Sequence, residues 1–237
     1  MPAGPTFHTD RPENIREARP WHPYRHHIRT LPVRLEAIAR DLRVPPAGRV
    51  LDYGCAELPY RHFFGPDVDY VGADLPGNPH ATVELQPDGT LPVDDGSFDA
   101  VMSTQVLEHV LDPGLYLREA HRVLRPGGRL LVSTHGIFVY HPDPDDYWRW
   151  TCSGLRRAVT EAGFQVVRFE GIIGLVPTGL QLVQDAVHWR LRRRLPKALW
   201  ARSMQTLIGI ADRYTRQSSR DLNAQVFAVV AEKPPPA

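Results

Sequence analysis

The feature that most constrains this chain is an alternation of two periodicities. Short apolar, β-favouring runs at 49–53, 68–74, 81–85, 98–103, 129–134, 165–169 and 224–231 read as strands. Between them lie stretches with helical spacing. Leu31, Leu35, Ile38 and Leu42 fall three and four apart along one stripe, and helices are expected over 31–42, 60–64, 114–124 and 152–162. A longer helical region is expected over 178–214, broken near Pro196, while Arg125-Pro126-Gly127-Gly128 reads as a stop signal. Strands that alternate with helices need crossover connections. The expected fold class is therefore α/β, a Rossmann-like seven-stranded, mostly parallel sheet with helices on both faces. Ligands of such sheets bind beyond the carboxyl ends of the strands, near the point where strand order reverses.

Composition narrows the class further. At 237 residues, 42% hydrophobic and 23% charged, the chain has the make-up of a globular protein long enough to bury its own core. Net charge is +1, which selects no polyanionic partner. Lysine occurs only at 197 and 233; the arginine excess is read as coding bias. Cys55 and Cys152 make neither a disulfide framework nor a zinc site by themselves. The longest apolar stretch, 171–183, is interrupted by Pro177 and Gln181 and is too short to span a bilayer. The first eleven residues have no apolar core, which argues against a secretory signal and for a cytoplasmic location. The expected organisation is a flexible arm over 1–20, a lid helix region over 21–46, a main domain over 47–233 with a helical insertion at 178–214, and a tail over 234–237.

The run Val50-Leu51-Asp52-Tyr53-Gly54-Cys55-Ala56-Glu57 carries the most chemistry. A strand ends in an acid and a glycine, so the backbone at Gly54 can approach a ligand closely. A dinucleotide fingerprint needs three glycines where pyrophosphate meets the helix start. Only Gly54 is present, and Glu57 would meet phosphate with like charge. A nicotinamide oxidoreductase is disfavoured; a ligand with a positive centre and an amino acid tail is not. Asp74, at the end of the second strand, could accept both hydroxyls of a ribose, or be a solvated loop acid.

Six segments in this order resemble class I S-adenosylmethionine-dependent methyltransferases, in particular the small bacterial type associated with sugars, polysaccharides and secondary metabolites. They are Leu51-Asp-Tyr-Gly-Cys-Ala56, Tyr70-Val-Gly-Ala-Asp74, Leu91-Pro-Val-Asp-Asp-Gly-Ser-Phe-Asp-Ala-Val101, Gln105-Val-Leu-Glu-His-Val110, Arg118-Glu-Ala-His-Arg-Val-Leu-Arg-Pro-Gly-Gly128 and His141-Pro-Asp-Pro-Asp-Asp-Tyr-Trp-Arg-Trp-Thr151. The resemblance implies S-adenosylmethionine as cofactor and S-adenosylhomocysteine as product. Asp52, Gly54, Cys55 and Ala56 would border its methionine part, Asp74 would hold the ribose and Leu75 pack on the adenine. Glu84, where the family more often has Asp, would meet the adenine amino group beside Leu85, and Gln105 would line the methyl-donor pocket. The family usually has glycine where Ala56 stands.

Methyl transfer needs acceptor, methyl carbon and sulfur in line, and a base if the nucleophile is a hydroxyl. His141, in the long loop after the fifth strand, is the first candidate; His135 and His109 are the others. For His109, packing or hydrogen bonding at a helix start is the favoured reading. Tyr60, Tyr147 and Trp148 are candidate acceptor contacts, although Tyr60 could instead reach the cofactor carboxylate. Trp148 and Trp150 alike could floor a sugar or ring site, but core or lid packing is the commoner use of tryptophans two apart. Asp143, Asp145 and Asp146 could ligate Mg2+, but a solvated turn is the commoner use of such a run and no metal is expected. The expected reaction is O-methylation of a saccharide or related small-molecule acceptor. The alternatives are a non-catalytic cofactor-binding module and a methyltransferase acting on a natural-product amine or carbon. A nucleic-acid substrate is disfavoured, because Ser103-Thr104-Gln105-Val106 stands where base-amino enzymes carry an Asn/Asp-Pro-Pro-aromatic run. The basic stretch 188–202 could meet an anionic surface. The favoured reading docks its Leu191, Leu195 and Leu199 side on the body or on a second subunit of a homodimer.

Overall fold

The computed structural model describes residues 19–235. Most of the expected arm, the segment read for a secretory signal, and the last two residues of the expected tail lie outside them. In chain order the elements are α1 (Arg25–Ala39), β1 (Arg49–Tyr53), β2 (Asp69–Asp74), β3 (Val83–Glu84), β4 (Phe98–Thr104), α2 (Pro113–Val123), β5 (Leu124–His135), α3 (Cys152–Glu161), β6 (Gln165–Gly174), α4 (Leu175–His188), α5 (Arg194–Arg213), α6 (Gln217–Arg220) and β7 (Ala224–Glu232).

One seven-stranded sheet has the order β3-β2-β1-β4-β5-β7-β6. Strands β1 to β5 pair in parallel, and β7 runs antiparallel to both β5 and β6. Two consequences follow from this order. Strand order reverses between β1 and β4, so the carboxyl ends of these two strands flank the crevice where a ligand is expected. Strand β6 runs the same way as β1 to β5, so the α4–α5 hairpin that follows it leaves from that same edge.

Alternation of side chains along the strands divides the core in two. Leu51 and Tyr53 of β1 join Val101, Leu130 and Val229 beneath α2 and α3, which bury Leu117, Ala120, Val123, Leu155 and Val159. Val50, with Met102, Leu131 and Val230, meets Leu31, Leu35 and Ile38 of α1 on the other face. Helix α2 begins on Asp112, whose side chain accepts from the Leu115 amide, with Pro113 in the first turn where no amide proton is needed. At its end the ammonium of Lys233 donates to the carbonyls of His121 and Leu124. The helix-poor stretch between β3 and β4 is fastened by Arg122, which donates to the carbonyls of Leu91 and Val93 and to Asp95 while Glu119 holds its other side.

The structure departs from the sequence-based expectations at several points. The helix expected over 60–64 is a single 3-10 turn at Arg61–Phe63, because Gly65-Pro66 ends it before a helical nucleus can propagate. The break in the long helical region falls at 189–193. Pro196 lies inside the first turn of α5, where the backbone amides have no intrahelical acceptor and a proline is tolerated. Helix α2 ends at Val123, directly before the stop signal at 125–128, but the fifth strand already begins at Leu124 rather than at 129. Leu124 pairs with Phe98, the register then shifts so that Ala100 faces Arg129, and Lys233 bonds both Gly127 and Gly128 through its backbone. Strand β3 keeps only two of its five expected residues, and β6 runs on to Gly174.

Gly171 marks the tightest backbone approach in β6. A Cβ there would stand 2.0 Å from the carbonyl oxygen of Arg220, whereas one on Gly179 in α4 would meet nothing within 4 Å. Gly171→Ala is expected to destabilise by about 2 kcal/mol or more through backbone overlap. Gly179→Ala is expected to stabilise by up to about 1 kcal/mol through helix propensity. Thermal unfolding followed by circular dichroism measures both.

Candidate active site

The turn after β1 is folded around Gly54, whose φ is +82° and whose missing Cβ would stand 2.4 Å from Val106 Cγ2. The amides of Gly54 and Cys55 both donate to Ala73 O, at 2.8 and 3.1 Å. Asp52 is buried on β1. Its Oδ2 accepts from Tyr70 Oη at 2.6 Å, and its Oδ1 has no hydrogen-bond partner. Burial pushes this carboxyl up to about 7, with Asp74 adding to the shift and the Tyr70 bond opposing it. Asp74, at the carboxyl end of β2, accepts from the amides of Leu75 and Ala56 at 2.8 Å and from Asn78 Nδ2 at 2.7 Å. The Cys55 thiol also lies 3.9 Å from Oδ2, so Oδ2 is fully used while Oδ1, with the Leu75 amide alone, keeps room for a further donor.

Ala56 has φ +43°, in the left-handed region that favours glycine. Leu75 is exposed, Glu84 accepts from the Gly77 amide at 3.1 Å, and Leu85 packs against the α2-side core. Gln105 follows β4 with φ +56°. Its Nε2 donates to Ser133 Oγ at 3.1 Å, and its buried Oε1 is unpaired. Two unpaired acceptor oxygens therefore stand on β1 and just past the adjacent β4, at the carboxyl edge.

All three candidate histidines converge next to that edge. The rings of His135 and His141 lie 4.8 Å apart, and those of His109 and His141 5.0 Å apart. His135 is buried and stacked on Phe138 at 4.0 Å, with Nδ1 3.4 Å from Gln225 O; burial takes its pKa well below the ordinary value. His109 Nδ1 lies 2.5 Å from Asp145 O. His141 Nδ1 lies 3.0 Å from Val139 O and 3.4 Å from Asp146 Oδ2. Since a carbonyl oxygen only accepts, Nδ1 carries the proton and Nε2 the lone pair. Arg149 Nη2 stands 3.3 Å from Nδ1 but donates to Val139 O and Asp146 Oδ2, both at 2.6 Å. Burial lowers the His141 pKa more than Asp146 and the Val139 bond raise it.

Sequence reasoning missed three members of this cluster. Glu108 is fully buried, accepts from Thr134 Oγ1 at 2.7 Å through Oε2, and presents an unpaired Oε1 3.6 Å from His135 Nε2. His27 arrives from α1, bonds Gln225 Oε1 at 3.1 Å, and is pulled down to about 4 by burial. Phe138 packs on His27, His135 and His141. The Glu-His pair at 108–109 was the available signal for the first. Nothing in the sequence ties α1 to the end of β5.

The aromatic candidates separate. Tyr147 and Trp148 are exposed beside the cluster, with their amides bonded to Glu108 O at 2.9 and 3.1 Å. Trp150 packs against the α2-side core. Tyr60, expected to reach the cofactor or acceptor, is buried in the α1-side core with its ring against Phe63, where packing takes most of its surface. The loop acids do not gather round a cation, since Asp146 is given to Arg149. Among the described residues, Glu108, His135 and His141 offer ligating atoms within 4.8 Å of one another, a nitrogen-rich set unlike the oxygen shell that magnesium takes. A depression of about 360 Å³ lined by Arg43, Pro45, Asp99 and Arg125 lies at the opposite, amino edge of the sheet and takes no part.

Comparison with known proteins meets this geometry from outside. A family model described as a methyltransferase domain matches residues 53–132. A Mycolicibacterium smegmatis protein named as a probable S-adenosylmethionine-dependent methyltransferase is 30% identical over 176 residues, covering 70% of this chain and 63% of that one. Both matches support the class I S-adenosylmethionine-dependent methyltransferase family for this chain. A Xanthomonas oryzae ubiquinone biosynthesis O-methyltransferase is 54% identical over 92 residues, 39% of this chain and 30% of its own length. The chain thus spans less than two thirds of either relative. Among solved structures, the [4+2]-cyclase SpnF superposes with a TM-score of 0.53 at 19% identity, covering 86% of this chain and 81% of that one, a likeness of fold. The cofactor of the family is S-adenosylmethionine, and the residues present fit it. Its methionine ammonium needs buried acceptors, which Asp52 Oδ1 and Gln105 Oε1 offer.

Two outcomes are expected at the cofactor turn. The Asp52 carboxyl has its pKa raised from 3.8 to about 7 on folding, so between these values the folded state binds more protons than the unfolded one. Stability without cofactor should fall as pH rises through that window, and Asp52→Asn should remove about 2–4 kcal/mol of the fall, read from urea unfolding at pH 5 and pH 8. Ala56→Gly should stabilise by about 1 kcal/mol by relieving the left-handed backbone, a rise of about 2–4 °C in Tm.

Proposed function

We propose that this chain transfers the methyl group of S-adenosylmethionine to a hydroxyl of a sugar, a saccharide or a related small metabolite, with His141 as general base. The observation that carries the reading is the convergence of His141, its orienting partners Val139 O and Asp146, and two exposed aromatic rings at the sheet edge that bears Asp52, Asp74 and Gln105. The relative named for O-methylation supports oxygen as the accepting atom. The resemblance of 141–151 to the sugar-associated type supports a saccharide.

When bound, the cofactor supplies a methyl carbon made electrophilic by its sulfonium. Asp52 and Gln105 would accept from the methionine ammonium, with Gly54, Cys55 and Ala56 bordering that tail. Asp74 would accept from the ribose, Leu75 and Leu85 would cover the adenine, and Glu84 would accept from its amino group. Tyr147 and Trp148 would floor the acceptor. Neutral His141 takes the hydroxyl proton on Nε2 as the oxygen attacks in line, and Asp146 steadies the imidazolium that forms. His135, buried beneath Phe138, and His109, bonded to Asp145 O, flank His141 and hold its ring edge-on. No step runs through a metal ion.

His141→Ala is expected to lower kcat at least about a hundredfold while S-adenosylhomocysteine affinity by calorimetry stays unchanged. Asp74→Ala should show the reverse pattern. Because burial lowers the His141 pKa, the acid limb of the rate profile should fall below 6.5. Full turnover by His141→Ala would move the base to His135 or His109.

A further inference from the structure

Helix α4 is turned inside out. Its buried side carries Thr178, Gln181, Gln184, Asp185 and His188, whereas Leu175, Val176, Leu182 and Val183 face outward. The buried polar groups are anchored. Gln181 and Gln184 donate to Pro23 O at 3.1 and 2.6 Å, Gln205 of α5 donates to the same carbonyl at 2.6 Å, and Tyr24 Oη donates to Asp185 Oδ2 at 3.0 Å. The helix therefore cannot roll its apolar stripe inward without stranding buried donors and acceptors. At the tip of the α4–α5 hairpin the outward apolar character continues, with Trp189 51%, Leu195 72% and Leu199 58% exposed. Leu195 and Leu199, expected to dock on the body or on a second subunit, do not dock on the body.

Charge decides what fits this face. Arg190, Arg192, Arg193, Arg194, Lys197 and Arg202 lie in or beside the tip, and all but Lys197 are exposed. Between Glu170 and Asp212 the only acidic residue is Asp185, which is buried against Tyr24. A two-fold dimer through this face would set one cationic cluster against its copy. An anionic bilayer offers the opposite charge to the arginines and an apolar layer to the leucines and Trp189, the combination that interfacial helices use. No helix among the described residues is long and apolar enough to cross a membrane, so contact would be made from one side.

We propose that the outward face of α4 and the tip of the α4–α5 hairpin form a docking surface for anionic phospholipid bilayers. The hairpin leaves from the carboxyl edge of the sheet, so docking turns the edge that carries the candidate site toward the lipid.

The test is co-sedimentation of the full chain with vesicles of phosphatidylcholine alone or of phosphatidylcholine with phosphatidylglycerol. Binding is expected only to the anionic vesicles, and it should weaken as salt rises. The combined change Arg192→Glu, Arg193→Glu and Arg194→Glu should reduce partition about a hundredfold. Leu182→Ser with Val183→Ser should reduce it about tenfold or more. Both variants should keep the wild-type circular dichroism spectrum and S-adenosylhomocysteine affinity, which separates lost docking from lost folding. Equal binding to neutral vesicles, or none to either kind, would overturn the proposal. So would a wild-type dimer, seen by sedimentation equilibrium, that the Leu182/Val183 variant disperses while lipid partition is absent.

Discussion

The proposed acceptor half of the site hangs on one buried carboxyl, that of Glu108. A carboxyl group removed from water must be hydrogen-bonded or neutral, and burial here raises its pKa. Thr134 at the end of β5 donates to one oxygen, and the other faces His135 Nε2. The backbone carbonyl of the same residue receives the amides of Tyr147 and Trp148. Glu108 thus binds three stretches that share no secondary structure: the loop after β4, the end of β5, and the segment that returns toward α3. His141 and its Asp146–Arg149 support sit within that third stretch. Their placement against the sheet is a consequence of how Glu108 is satisfied.

The cofactor half is joined to it through a steric contact. Gly54 lies so close to Val106 that no side chain fits between them, and Val106 stands two residues before Glu108. The parallel register of β1 and β4 brings Asp52 opposite Met102, which sets this contact where strand order reverses. A glycine that lets backbone approach a ligand here also lets two loops approach each other. In the proposed reaction, this contact would set the separation of the donor and acceptor halves. In-line transfer requires such a fixed separation, because it tolerates little error in distance or angle.

Much of this was legible in the sequence, for reasons particular to each element. Strand β1 was readable to the residue because a dense apolar run lies between Pro45-Pro46 and Gly54. The helix over 60–64 was misread because apolar spacing in five residues says nothing about nucleation. Pro196 was read as a break because proline rules depend on position within a helix, and that position is unknown until the helix start is known. In the site, His109, His135 and His141 were named as alternatives for one role, and the fold makes them neighbours. His27 was beyond reach, since its approach depends on how α1 crosses the sheet. Asp52 was placed beside the cofactor, but its elevated pKa comes from burial and the nearby Asp74 against the opposing Tyr70 bond, a tertiary circumstance.

Helix α4 shows the same limit from the other side. Periodicity reveals that a helix has two unlike faces; it does not reveal which one turns inward. The default assignment puts leucine and valine inside, and it fails where the neighbouring surface is polar. The carbonyl of Pro23, the hydroxyl of Tyr24 and Gln205 of α5 make such a surface, and the glutamines of α4 match it. Hydrogen-bond satisfaction thus outweighs the burial of four aliphatic side chains, since each stranded buried polar group costs about 1–3 kcal/mol while an exposed leucine forfeits only a gain of similar size. That near balance is the energetic condition for a surface whose apolar area is left available to something outside the chain.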